Sequence, residues 1–103
     1  MFSLFSKIPS VSTKELETRL DKKIVLLDVR TPAEFKGGHI PQAINKPLNK
    51  MNTYQGKEKE VYLICQSGMR SKKAAKTLKN KGYDVINVRG GMSQWSGTIK
   101  RGK

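Results

Sequence analysis

Val61-Tyr62-Leu63-Ile64-Cys65-Gln66-Ser67-Gly68-Met69-Arg70-Ser71 carries a strand, a loop and the approach to a helix. Its first four residues are apolar or aromatic β-formers and predict a short buried strand. The only cysteine stands at the carboxyl end of that strand, which is where ligands bind in an α/β sheet. A loop with one glycine follows. The spacing of Ala74, Ala75 and Leu78 then predicts a helix over 71–81 with one apolar face. The amides at a helix N-terminus lack internal partners and carry the positive end of the dipole, so an anion at the mouth of this loop would be stabilised beside the Cys65 sulfur.

A free cysteine titrates near 8.5 and is only about 3% thiolate at pH 7, whereas helix N-termini and neighbouring cations lower that value to roughly 3.5–7.5. A drop of two units needs about 2.7 kcal/mol. A helix terminus at up to ~2 kcal/mol together with an Arg70 guanidinium could supply it. The plain alternative is an inert strand-end cysteine. The order strand, Cys, glycine-bearing loop, Arg, helix favours a working thiol.

The chain has 103 residues, enough for one domain with a core and too few for two. A single domain over 1–103 is expected, with loose ends at 1–6 and 97–103. One cysteine excludes an intrachain disulfide and suits a reducing compartment. It also leaves no internal thiol to resolve a sulfur intermediate, so the acceptor must come from outside. Residues 1–7 have neither the basic start nor the cleavage pattern of a signal peptide, and no run is long and apolar enough to span a membrane. A cytoplasmic protein is expected.

Lys and Arg number 21 against 8 acids, for a net charge of +13. Residues 1–51 hold nine bases and five acids, and residues 52–103 hold twelve and three. Such a field attracts small oxyanions, acidic proteins or nucleic acid. Lys72 and Lys73 fall in the first turn of the predicted helix, where cations oppose the dipole. Their placement against that cost points to an anionic substrate.

Upstream, Val11-Ser12-Thr13-Lys14-Glu15-Leu16 predicts a helix to about Leu20. Ser12 and Glu15 have capping-box spacing, and Val11 and Leu16 that of a hydrophobic staple. Residues 24–29 form an apolar run broken only by Asp28, as in a parallel strand covered on both faces. Thr31, Pro32 and Glu34 then start a brief second helix with a second capping box, which Gly37-Gly38 ends. Asp28 and Arg30 straddle the strand end, free to pair with each other or with the cysteine loop. A short strand is predicted between Pro41 and Pro47. His39 is the only histidine, so a metal site is not expected and a turn-stabilising role is. Residues 49–60 read as a loop or ragged helix. Gly82 reads as a C-cap, residues 85–88 as a last strand, and Gly90-Gly91 as a turn into a helical turn that packs Trp95 on the sheet edge.

Taken together, these residues resemble a single-domain rhodanese over nearly the whole chain. The resemblance rests on Leu27-Asp28-Val29-Arg30 with Glu34-Phe35, Gly38-His39-Ile40-Pro41 with Ala43-Ile44-Asn45, Cys65-Gln66-Ser67-Gly68-Met69-Arg70-Ser71, and Gly90-Gly91 with Trp95. It implies a three-layer α/β domain with a small, mostly parallel central sheet flanked by helices. It also implies a sulfurtransferase that needs no cofactor. Cys65 would take a sulfane sulfur from an anionic donor such as thiosulfate, hold it as a persulfide, and pass it to cyanide or a thiol. Gln66, Ser67, Gly68, Met69 and Arg70 would surround the outer sulfur, with Asp28 and Arg30 in support.

Arg70, the loop amides and nearby lysines would offset the repulsion between a dianionic donor and a thiolate. The departure from the family is at Gln66, where thiosulfate-preferring members often carry a basic residue. Three rival classes stay open. A cysteine-dependent phosphatase or arsenate reductase usually has five residues between Cys and Arg, and here there are four. A non-catalytic rhodanese-like binding or sensing module commonly lacks the cysteine that this chain keeps. A nucleic-acid binder is suggested by charge alone, without aromatics among the bases; an acidic protein is the partner class that the charge suits better.

Overall fold

The computed structural model describes residues 8–103. The elements run β1 (Ser10–Val11), α1 (Thr13–Arg19), β2 (Leu26–Asp28), α2 (Pro32–Lys36), β3 (Ile44–Asn45), β4 (Glu60–Ile64), α3 (Met69–Asn80) and β5 (Asp84–Val88). Single 3-10 segments cover Leu48–Thr53 and Gly91–Gln94. The five strands form one sheet in the order β1-β5-β4-β2-β3, and every pairing is parallel. This is the small α/β sheet that the alternation of apolar runs and helical stretches predicts.

β4 is the middle strand, and its residues alternate between two cores. Val61, Leu63 and Cys65 pack with Ala74, Ala75 and Leu78 of α3 and with Met51. Tyr62 and Ile64 point to the other layer, among Leu16, Ile40 and Val88. A strand covered on both faces has no polar side to show, which is why residues 61–64 read as an unbroken apolar run. Both capping boxes form: Ser12 and Glu15 exchange bonds at 2.8 and 3.1 Å, and Thr31 and Glu34 at 3.0 and 3.2 Å. Val11 and Leu16 share one core cluster, as staple spacing requires.

Three details depart from expectation. First, α3 begins at Met69, two residues before Ser71, with Gly68 as N-cap in the left-handed region at φ 101°. A glycine cap offers no side-chain acceptor, so the usual start signal is absent from the sequence. Lys72 and Lys73 are consequently the fourth and fifth helical residues, and both are exposed. Second, β2 is shorter than the 24–29 run, although Val25 and Val29 still bond β4 through Tyr62 N–H and the Ile64 carbonyl. Third, the segment from Gly97, expected to be loose, is tied down. Lys100 and His39 exchange backbone bonds at 2.8 and 2.9 Å, and Gly102 N–H donates to the Lys36 carbonyl. The expectation for 1–6 lies outside the described residues.

No helix among the described residues is long and apolar enough to cross a membrane. His39 is buried, donates from Nδ1 to the Phe35 carbonyl at 2.6 Å, and stacks on the Phe35 ring at 3.6 Å between centroids.

Candidate active site

Cys65 directly follows β4, at the carboxyl end of the parallel sheet, and is only 1% exposed. The loop after it is held from outside. Met92 N–H donates to the Cys65 carbonyl at 2.8 Å and Ser93 N–H to the Gln66 carbonyl at 2.9 Å. Gly91 makes this contact possible: a Cβ there would lie 2.2 Å from the Cys65 carbonyl oxygen, and its φ is +56°. With those carbonyls engaged by the 3-10 turn, the loop turns an amide inward. Gly68 N–H donates to Cys65 Sγ at 3.0 Å.

Burial alone would push the Cys65 thiol up. The Ser71 hydroxyl and the amides of Ser71, Gly68 and Ser67 outweigh it, so the thiol lies below its ordinary value. The mechanism is hydrogen bonding to the charged form. The Ser71 hydroxyl has a single proton, and it donates this to Asn87 Oδ1 on β5. The hydroxyl thus stands between the sulfur and Asn87, while the amides donate to the sulfur whichever way it turns. Ser71 and Asn87 are both buried, and Asn87 Nδ2 also reaches the Gly68 carbonyl at 3.4 Å, linking β5 to the glycine cap.

Arg70, expected near the sulfur, gives its guanidinium to Glu34. Its Nη1 and Nη2 donate to Glu34 Oε1 and Oε2 at 2.8 and 2.9 Å. Each side chain of the pair is 36% exposed. Arg70 above all, with Thr31, holds the Glu34 carboxyl down to about 2. A groove of about 540 Å³ opens beside Arg70, walled by Val29, Pro32, Pro47, Leu48 and Lys50.

Asp28 and Arg30 pair with each other, and Arg30 also reaches the loop. Arg30 Nε and Nη2 meet the Asp28 carboxylate at 3.0 and 2.8 Å, and both residues are buried. Arg30 Nη2 also donates to the Gly38 carbonyl, and Nη1 reaches Gln66 Oε1 at 3.4 Å. Gln66, Ser67 and Met69 are exposed at the rim, Met69 by 72%. Residues 65–70 are thus the loop and the start of α3, Arg30 lies against them, and Asp28 is joined to them through Arg30. Reading the sequence missed Glu34, Ser71, Asn87 and Gly91 as parts of the site. Among the described residues no cluster of His, Cys, Asp and Glu is placed to hold a metal.

The arrangement combines a buried thiol held below its ordinary value, inward amides beside the sulfur, and a neutralised ion pair at the rim. Residues 12–98 match the sequence model of the Rhodanese-like domain. A protein of Bacillus subtilis named YqhL, uncharacterised, is 43% identical over 86 residues, covering 80% of this chain and 68% of that protein. A sulfurtransferase of Allochromatium vinosum is 34% identical over 95 residues, covering 86% and 89%. Among solved structures, a rhodanese-like domain protein from Staphylococcus aureus superposes with a TM-score of 0.82 at 32% identity, over 92% of this chain and 99% of that one.

Proposed function

Since the chain belongs to the Rhodanese-like domain family, we propose that it is a sulfurtransferase working through a persulfide on Cys65. The Cys65 thiolate attacks the outer sulfur of an anionic donor such as thiosulfate. A new S–S bond forms, the donor's S–S bond breaks, and its bonding pair leaves on sulfite. The outer sulfur of the persulfide then lies within the ring of amides from residues 66–70. In the second half-reaction cyanide or a thiol attacks that sulfur, and the Cys65 thiolate is regenerated as leaving group. No proton or electron carrier is required, so the site needs no cofactor for this chemistry.

The observation that carries the reading is the Gly68 N–H bond to Cys65 Sγ at 3.0 Å, on a thiol held below its ordinary value. A lowered thiol is the active nucleophile near neutral pH. Arg30 and Asp28 support the loop through Gln66 and the Gly38 carbonyl. The net charge of +13 draws anionic donors toward the domain and suits an acidic protein as a second partner. A working free thiol fits a reducing cytoplasm. Mass spectrometry after incubation with thiosulfate tests the reading. Addition of one sulfur atom to Cys65, removed again by cyanide, is the expected result; no adduct on an intact, folded protein from either thiosulfate or a monoanionic thiosulfonate overturns it.

A further inference from the structure

We propose that Glu34 sets the charge of the sulfur donor, disfavouring a dianion such as thiosulfate relative to a monoanionic donor by occupying Arg70. The inference rests on the sulfur-transfer reading above and names the donor class of that same site. A guanidinium presents one planar fork, and the oxygens of a sulfonate would use the same N–H groups that a carboxylate uses. Glu34 already fills both, at 2.8 and 2.9 Å. It is not free to swing away, because Oε1 also accepts the Thr31 N–H that caps α2, at 3.0 Å.

The other guanidinium at the loop is spent in the same way, while Lys50 stands farther out in the groove wall. Arg30, the second cation touching the loop, is paired with Asp28 in the interior. Gln66 is neutral and places its carbonyl oxygen on Arg30. The two ion pairs cancel at the loop itself, where a donor meets amides and a thiolate. A dianion brought to that thiolate carries one more repulsive unit of charge than a monoanion, with no uncommitted guanidinium to meet it.

Methanethiosulfonate isolates the charge. It undergoes the same displacement as thiosulfate: Cys65 gains the outer sulfur, the donor S–S bond breaks, and methanesulfinate leaves with the electron pair in place of sulfite. It has one negative charge fewer and only a methyl group in exchange. The experiment measures single-turnover loading of Cys65 by both donors in the wild type and in Glu34→Gln. Glutamine retains the carbonyl oxygen for the α2 cap and removes the charge from Arg70. The ratio of thiosulfate to methanethiosulfonate loading should rise in the variant by about tenfold, the scale expected for one unit charge acting across a partly solvated site.

If both rates change by the same factor, Glu34 is a positioning residue only and the inference falls. Should Glu34→Gln fail to fold, the wild-type ratio is compared with that of free cysteine thiolate and the same donors. A lower ratio on the protein is expected, and an equal or higher one overturns the inference. Loading by neither donor in the wild type removes the sulfur-transfer reading itself, an outcome distinct from an unchanged ratio.

Discussion

Arg70 gives both terminal nitrogens to Glu34, Nη1 to Oε1 at 2.8 Å and Nη2 to Oε2 at 2.9 Å, across 36 residues of chain. The arginine next to the cysteine loop is thus half of a neutral pair. Replacing Arg70 by alanine exposes the Glu34 carboxylate to an incoming anion and should slow thiosulfate loading about tenfold or more. The double variant Arg70→Ala with Glu34→Gln should recover part of that loss. Loading rates for the two variants decide it: a double variant as slow as the single one means the carboxylate is not what opposes the donor.

Cys65→Ser should fold and carry no sulfur, because it removes the nucleophile and little volume. Circular dichroism and a mass spectrum after thiosulfate treatment check both halves. The same samples can be offered an aryl phosphate. Four residues between Cys65 and Arg70 make a ring suited to one sulfur atom, so no phosphate release is expected from the wild type; efficient, Cys65-dependent release without persulfide would contradict the assigned chemistry.

Ser71→Ala leaves Asn87 Oδ1 without its buried donor and takes the hydroxyl from beside the thiol. A buried acceptor without a partner costs about 1–3 kcal/mol. Urea unfolding should show that loss, and the thiol should titrate higher than in the wild type. Unchanged titration in a destabilised variant would assign Ser71 to packing alone.

The pH dependence follows from two groups. Hydrogen bonds hold Cys65 below its ordinary value, so loading should rise with pH and level off at a lower pH than the reaction of free cysteine does. Glu34 is held down to about 2 against an ordinary 4.5. A depressed carboxylate stabilises the fold above its unfolded value, and that stability is lost as pH falls from about 4.5 toward 2. Each member of the ion pair is 36% exposed, so the loss should be about 1 kcal/mol or less. Acid titration of Glu34→Gln against the wild type isolates it; identical acid stability would leave the pair without energetic weight.

Ionic strength should separate steering from contact. Lys72, Lys73 and Lys76 are exposed on α3, and their long-range attraction fades as the Debye length falls from ~30 Å at 0.01 M to ~8 Å at 0.15 M. The second-order rate constant for thiosulfate should drop across that range, while the rate at saturating donor holds. A flat second-order constant would leave the +13 charge without a part in loading.

What could be read from sequence was local. β4, the loop and α3 follow one another in the chain, and each capping box spans four residues, so residue order alone reveals them. What escaped was mostly long-range contact. Glu34 already had a complete role as the cap partner of Thr31, and nothing nearby marks its second use by Arg70. Asn87 reads as one polar residue in a strand, and only the pairing of β5 with β4 carries it to Ser71. Gly91 looks like half of a turn until the Cys65 carbonyl is found against it. The early start of α3 was hidden for a different reason: its cap is a glycine, whose side chain signals nothing.

The pairing of β1 with β5 bears on how the protein folds. Strand pairs that join distant parts of a chain form late, because the intervening loop must close before they contribute. Here β1 borders a sheet whose other members come after it, and the turn that grips the Cys65 carbonyl begins at Gly91. Any partly folded state in which residues 91–93 have come away from the loop therefore leaves the Cys65 and Gln66 carbonyls without those partners. In such a state Cys65 is an ordinary cysteine, open to whatever oxidant or electrophile it meets, and its lowered thiol returns only when the long-range pairings of the sheet have closed.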